Sequence, residues 1–298
     1  MKCSRMTTEK LPETAPASVP QPSCAFDESF VEARDGARLR VRTARLAGTV
    51  RAELLVVHGF GEHAGRYSHV AAALAERGIR VETYDLRGHG RSSGRRGDVA
   101  DYALLLDDLR AMHERAGASG RPVFLFGHSL GGQIVLRFLA REEPRVAGAV
   151  VASPWLRLAF APPRWKLALA HVALRLIPWH RQSTGMVLDE LTRDRAHAEA
   201  MPDRELMLHR ISARMFFAVQ AAGAQALAEA GRLRAPLLLL HGEADPVTCW
   251  HATAELHTQA AAADKTLKTF PGALHEMHND LVRDEVLRAL GEWISARC

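Results

Sequence analysis

Residues 123–132 read VFLFGHSLGG, and the fold turns on this stretch. Val123 to Phe126 is a short apolar run, suited to a strand buried on both faces. It enters Gly127-His128-Ser129-Leu130-Gly131, a G-x-S-x-G turn, and a helical pattern over 133–141 leaves it. The flanking strand and helix give this five-residue pattern its meaning. Glycines allow a strained turn in which the helix start passes close to the strand. The Ser129 hydroxyl is then lifted above the sheet, over a helix N-terminus.

Similar apolar runs recur at 54–57, 80–84, 149–152, 237–240 and 266–270, with helical patterns at 67–77 and 99–115. Strand–helix alternation of this kind predicts an α/β fold with a mostly parallel, doubly wound sheet and right-handed crossovers. Ahead of it, segments 30–34 and 37–45 flank Asp35-Gly36, a pair that favours a tight hairpin. The alternation breaks between Pro154 and Pro236, where the pattern is helical and no strand is expected. The chain thus divides into an N-terminal tail over 1–25, a sheet core over 26–153, a helical cap over 154–235, and the rest of the core over 236–298. Such a cap would cover the C-terminal edge of the strands, where open α/β sheets bind ligands.

A serine hydroxyl needs a base to take its proton and an acid to orient that base. In the strand–elbow–helix setting the chain order is Ser, acid, His. The run at 237–240 is followed by HGEAD (241–245), which puts Asp245 on a post-strand loop; Glu243 competes but belongs to the turn. The last run is followed by PGALHEMH (271–278), which offers His275 first and His278 as the alternative. HEMH is not the H-E-x-x-H zinc pattern, because its second His comes one residue early, so no metal site is expected. Two backbone N–H donors are needed for a developing oxyanion. Leu130 follows the serine, and Phe60 sits between glycines in HGFGEH (58–63), after the first buried run.

The 298 residues are 47% hydrophobic and 24% charged, the balance of a folded globular protein. The formal net charge of +5 is spread thinly and comes almost wholly from Arg, since Lys occurs only at Lys2, Lys10, Lys166, Lys265 and Lys268. No basic run interleaved with aromatics exists, which argues against nucleic-acid binding. Four cysteines, at 3, 24, 249 and 298, are too few and too scattered for a disulfide framework. Residues 1–25 contain no apolar run of the roughly 7–15 residues a secretory signal needs. They read as a disordered extension on a cytoplasmic protein. Arg164 to Ile177 is the most apolar helix candidate outside the sheet and is too short to span a bilayer. Two readings stay open for it: a helix touching membrane peripherally, with Trp165 and Trp179 as anchors, or one packed on the core or a partner subunit.

The motifs together resemble the monoacylglycerol lipase and lysophospholipase group of α/β-hydrolases. HGFGEHAGRY (58–67), YDLRGHGRS (84–92), GHSLG (127–131), Ser153-Pro154, HGEAD (241–245) and His275 carry the likeness. LTRD (191–194) and ISAR (211–214) extend it into the insertion. The resemblance implies an α/β-hydrolase sheet of about eight strands with an inserted helical cap. It implies Ser129, Asp245 and His275 as triad, Phe60 and Leu130 as oxyanion donors, and neither metal nor organic cofactor. The substrate would be a small-molecule acyl ester of glycerol or a lysophospholipid, cleaved through an acyl-enzyme. Glu62, His63, Arg66 and His278 match positions at the glycerol end of the family's pocket. Two positions depart. Ala161-Pro162-Pro163 stands where glycerol-binding members have a Glu shortly after Ser-Pro, and Met201 where they have a Tyr. Both remove a polar partner for a glycerol hydroxyl. Other readings are a non-lipid carboxylesterase or peptidase on the same triad, and a catalytically silent ligand-binding homologue.

Overall fold

The computed structural model describes residues 24–298. The expected hairpin is β1 (Phe26–Glu32) and β2 (Arg38–Ala44), paired antiparallel from Phe26↔Ala44 to Glu32↔Arg38 around Asp35-Gly36. β3 (Ala52–Val57) leads through α1 (Ser68–Ala75) to β4 (Ile79–Tyr84), then α2 (Ala103–Gly117), β5 (Val123–His128), α3 (Leu130–Glu142) and β6 (Gly148–Ala152). One sheet of eight strands results once the two C-terminal strands are added. Its order is β1-β2-β4-β3-β5-β6-β9-β10, with β9 at Leu237–Gly242 and β10 at Lys265–Phe270. Only β2 runs against its neighbours; the pairs from β4 to β10 are parallel.

The apolar runs are continuous because both faces of the sheet are covered. Leu54, Val56, Phe124, Phe126, Val150, Leu238 and Leu240 face one core, closed by α1 and α8 (Arg283–Ser295). Leu55, Val57, Leu125, Ala149, Val151, Leu237 and Leu239 face the other, closed by α2, α3 and α7 (Trp250–Gln259). Burying one such side chain fully is worth about 1.5–3 kcal/mol. A single Leu→Ala change inside β3, β5 or β9 removes much of that and leaves a cavity.

Two boundaries differ from the sequence reading. The helix expected over 99–115 begins four residues later, at Ala103, after a turn in which Asp101 Oδ1 accepts from Ala103 N at 2.9 Å. The tail expected over 1–25 lies outside the described residues as far as 23. At Ala25 the chain is already tied in, its carbonyl accepting from Arg45 N at 2.8 Å.

Between β6 and β9 run α4 (Arg164–Leu176), β7 (Arg181–Ser183), α5 (Arg195–Glu199), β8 (Arg210–Ser212) and α6 (Ala213–Ala228). The expectation of no strand here fails. β7 and β8 pair antiparallel over Arg181↔Ser212, Gln182↔Ile211 and Ser183↔Arg210. Strands of three residues, Arg-Gln-Ser and Arg-Ile-Ser, hold a single apolar residue, Ile211, and are too short to show alternation, so the pattern gave no signal. This clip is fastened to the core. Ser212 N donates to Gly97 O at 3.0 Å, Ser212 Oγ to Asp98 Oδ1 at 2.6 Å, and Arg181 Nη1 to Arg96 O at 2.9 Å. A second fastening joins Glu276 N to Leu191 O at 2.7 Å and Thr192 Oγ1 to Asn279 O at 2.9 Å. α4 differs: only Ala173 of its residues is buried.

Candidate active site

Ser129 sits between β5 and α3 with φ 52° and ψ −115°, a conformation L-residues rarely adopt. Its neighbours hold the strain in place. Ser129 N donates to Ala152 O at 2.9 Å, and its carbonyl accepts from Gln133 N and Trp155 N, each at 3.0 Å. The two glycines of the motif are required by close approach. A Cβ on Gly127 would lie 2.5 Å from Gly131 O, and one on Gly131 would lie 2.0 Å from Val57 O.

β9 and β10 deliver the other two residues. Asp245 follows β9, buried, with Oδ1 accepting from the N–H groups of Val247 at 2.7 Å and Thr248 at 3.0 Å. His275 follows β10, and its Nδ1 donates to Asp245 Oδ2 at 2.7 Å. Burial opposes the Asp245 charge, but the imidazoles of His275 and His241 outweigh it and hold the carboxyl far below the usual carboxylate range. Glu243, the competing acid, turns away and accepts from Thr269 Oγ1 at 2.7 Å. Ser129 and His275 both line one cavity of about 590 Å³.

Phe60 also lines that cavity. Its loop is set from within: Gly59 N donates to Glu62 Oε1 at 3.1 Å, and Leu208 N from the insertion donates to Gly61 O at 2.9 Å. Among the described residues, neither Phe60 N–H nor Leu130 N–H has a hydrogen-bond acceptor. Beneath this loop, Asp85 accepts from Ala64 N at 2.7 Å and Arg91 N at 2.8 Å, tying two turns together.

Of the four residues matched to a glycerol end, Glu62, His63 and Arg66 line the cavity. His278 is not among the lining residues. It lies behind them, stacked on Tyr67 with ring centroids 5.2 Å apart and edge-on to His128 at 4.7 Å. Glu62 is saturated: Oε1 accepts from Gly59 N and from His128 Nδ1 at 2.6 Å, while Oε2 meets Tyr67 Oη at 3.1 Å and Arg66 at 3.2 Å. Arg66 is spent as well. It makes a two-pronged pair with Glu276, and its Nε points at Met201 Sδ, 3.2 Å away. His63 differs. Its Nδ1 accepts from Gly65 N at 3.1 Å, and its buried Nε2 has no partner among the described residues. Burial brings its imidazole down to about 4.

Glu62, His128 and His278 also bring potential metal-ligand atoms within 4.8 Å of one another. Glu62's hydrogen bonds account for its part in this cluster without an ion. Sequence reasoning missed the roles of His128, Tyr67 and Glu276. The signals were present, since His128 is the variable residue before the serine and Glu276 directly follows His275.

Residues 48–282 match the family model described as serine aminopeptidase, S33. The chain belongs to that family. It is 31% identical to human monoglyceride lipase over 98% of this chain and 97% of that one. A crystal structure of Paleococcus ferrophilus monoacylglycerol lipase aligns with a TM-score of 0.78 at 32% identity, covering 87% of this chain and 99% of that one. An abhydrolase domain-containing protein of Dictyostelium discoideum is 32% identical over 83% of this chain, which spans only 26% of that protein's length. The chain is thus an α/β-hydrolase of the monoglyceride lipase group and a carboxylic ester hydrolase.

Proposed function

We propose that this S33 member cleaves carboxylic esters of single acyl chains through Ser129, His275 and Asp245. The observation that carries the reading is the junction at Ser129. A strained serine and an imidazole backed by a buried carboxylate open into one cavity, lined by Trp155, Leu158, Leu167, Met186, Leu191 and Phe216. An apolar lining of this kind suits an acyl chain. The monoglyceride lipases among its relatives support a lipid ester as substrate. The family description names an aminopeptidase, which keeps peptide cleavage on the same triad as the second reading.

Ser129 Oγ attacks the ester carbonyl while His275 Nε2 takes its proton. Asp245 steadies the resulting imidazolium, and the N–H groups of Phe60 and Leu130 receive the oxyanion. The tetrahedral species collapses, His275 protonates the leaving alcohol, and an acyl-serine remains. His275 then takes a proton from a water, which attacks the acyl carbon; as the acyl–Oγ bond breaks, His275 returns that proton to Ser129 Oγ and the carboxylic acid is released. Ser129→Ala tests the reading: ester turnover and labelling by a serine-directed fluorophosphonate should both vanish. Labelling of that variant at the wild-type rate would defeat it.

We further propose that α4 meets a lipid surface. Trp165, Leu169, Val172 and Leu176 recur at helical spacing and are 63%, 56%, 55% and 71% exposed. Four large apolar side chains on one solvent-facing stripe support a peripheral contact. No helix of the described residues is long and apolar enough to cross a membrane.

The alcohol end of the cavity supports a loose leaving-group preference. Pro162, Pro163 and Met201 line the cavity, and the charges of Glu62 and Arg66 are already paired. His63 Nε2–H is the free donor that remains there.

A further inference from the structure

Three donors converge on one oxygen of Asp245. His275 Nδ1 lies 2.7 Å from Oδ2, Thr248 Oγ1 2.7 Å, and His241 Nε2 3.2 Å. All four side chains are buried. His241, on β9, is fixed from behind, its Nδ1 lying 2.8 Å from the buried Thr253 Oγ1 of α7. With Nδ1 accepting from that hydroxyl, Nε2 carries the proton and shares it between Asp245 Oδ2 and Thr248 O, 3.3 Å away. Thr248 has one proton and two acceptors within reach, Asp245 Oδ2 and Ser153 O at 3.2 Å. Its oxygen also lies 3.3 Å from His275 Nδ1, so it touches both halves of the acid–base pair. Neither residue lines the substrate cavity.

An oxygen that accepts several hydrogen bonds offers less negative charge to each donor. We propose that Thr248 and His241 are positioning residues for the reaction, which divide the charge of Asp245 Oδ2 and so set how tightly His275 holds its second proton. The inference rests on the triad reading given above. With these donors in place the negative charge of Oδ2 is shared among three partners. With them removed, Oδ2 belongs to His275 alone, the imidazolium is favoured, and base-competent enzyme appears only at higher pH. Other titratable groups facing His275 are few. His128 of β5 has its ring centroid 4.9 Å away and donates through Nε2 to His275 O at 3.2 Å. Glu62 stands behind His128, and Glu276 is the next residue in the chain, paired to Arg66.

Thr248→Val tests this, because it keeps the shape and the backbone N–H to Oδ1 while removing the hydroxyl. The measurement is the pH profile of kcat/KM on a water-soluble acyl ester, with the pH dependence of fluorophosphonate labelling as a second readout of the same base. In Thr248→Val the acid limb should move up by about half to one pH unit, a threefold to tenfold loss below the limb with little change above it. Thr248→Ser should return the limb to the wild-type position, and His241→Gln, which retains one donor, should shift it less than Thr248→Val. A Thr248→Val profile that is lowered evenly at all pH, or not moved, overturns the inference. Failure of the triad reading looks different: Ser129→Ala would keep its turnover, whatever the threonine variants do.

Discussion

Arg66 and Glu276, 210 positions apart in the chain, form a fully buried pair with Nη1–Oε1 at 2.8 Å and Nη2–Oε2 at 2.6 Å. Arg66 lies just beyond the loop that carries Phe60, and Glu276 directly follows His275. The pair therefore ties the Phe60 loop to the His275 loop. Burial opposes both charges, and each partner offsets that for the other: the guanidinium is held above its ordinary value and the carboxyl below.

Removing Arg66 strands Glu276, whereas removing Glu276 leaves Arg66 with Glu62. Arg66→Met should destabilise the protein by about 3–5 kcal/mol, the range for an orphaned buried charge. The double variant Arg66→Met/Glu276→Gln should lose clearly less than the sum of the two singles, since neither charge is then left alone. Urea midpoints of the four proteins measure this. A single-variant loss under about 1 kcal/mol would mean that water reaches the pair, as at exposed ion pairs.

The two histidines of HEMH should separate by kinetics. His275→Ala removes the base and should lower kcat by several orders of magnitude. His278→Ala removes a ring stacked behind the cavity, and should change KM or stability more than kcat. Steady-state kinetics on one ester decide it, and the reverse pattern would reassign the base to His278.

Alcohol preference follows from the paired charges at that end of the cavity. For one acyl chain carried on glycerol, methanol and p-nitrophenol, kcat/KM corrected for leaving-group reactivity should differ little. A glyceryl preference above roughly 100-fold, about 2.7 kcal/mol, would require several polar contacts to the alcohol. His63→Phe then asks whether the free imidazole N–H supplies one of them.

Acid should weaken the fold well before its carboxylates titrate. Burial is the leading cause that holds His63 and His69 down at about 4 and His89 at about 3, and it also lowers His58 and His278. Groups depressed in the folded state contribute stability that is complete above their unfolded value of about 6.5 and lost as pH falls through the folded one. His128, raised by Glu62 against its burial, acts in the opposite direction. Denaturation midpoints should therefore drop between pH 7 and 5. His69→Gln should flatten that slope, and a wild-type midpoint constant down to pH 5 would contradict the assignment.

The parallel sheet and the loops of the proposed triad were legible because β3, β5, β6 and β9 are apolar runs that stop at a polar loop, with β4 and β10 following at the same spacing. That rule places Ser129, Asp245 and His275 at one sheet edge without any knowledge of side-chain contacts. What lay beyond it needed the third dimension. Glu276 finds Arg66 through packing that no spacing encodes, and Thr248, three residues after Asp245, reaches Oδ2 only because the loop turns back on itself. His278 matched a family position and yet does not line the cavity; His128, which does, stands edge-on against it. The β7–β8 clip was invisible for a different reason: its two strands have three residues each with Ile211 the one apolar side chain, and bonds from Ser212 and Arg181 to core loops fasten it.

That clip bears on how substrate arrives. A roof bolted along two sides is expected to open where its longest weakly buried beam sits, at α4, of whose thirteen residues Ala173 alone is buried. Amide exchange should reveal two clocks in the insertion, fast over 164–176 and slow at 181–183 and 210–212. Because the outward stripe of α4 is also the proposed lipid-facing surface, settling onto a bilayer and unlatching the entrance become a single event. Vesicles of neutral phospholipid should then quicken exchange in α4 and raise turnover together, and Leu169→Ser/Leu176→Ser should abolish both responses while leaving hydrolysis of a water-soluble ester unchanged.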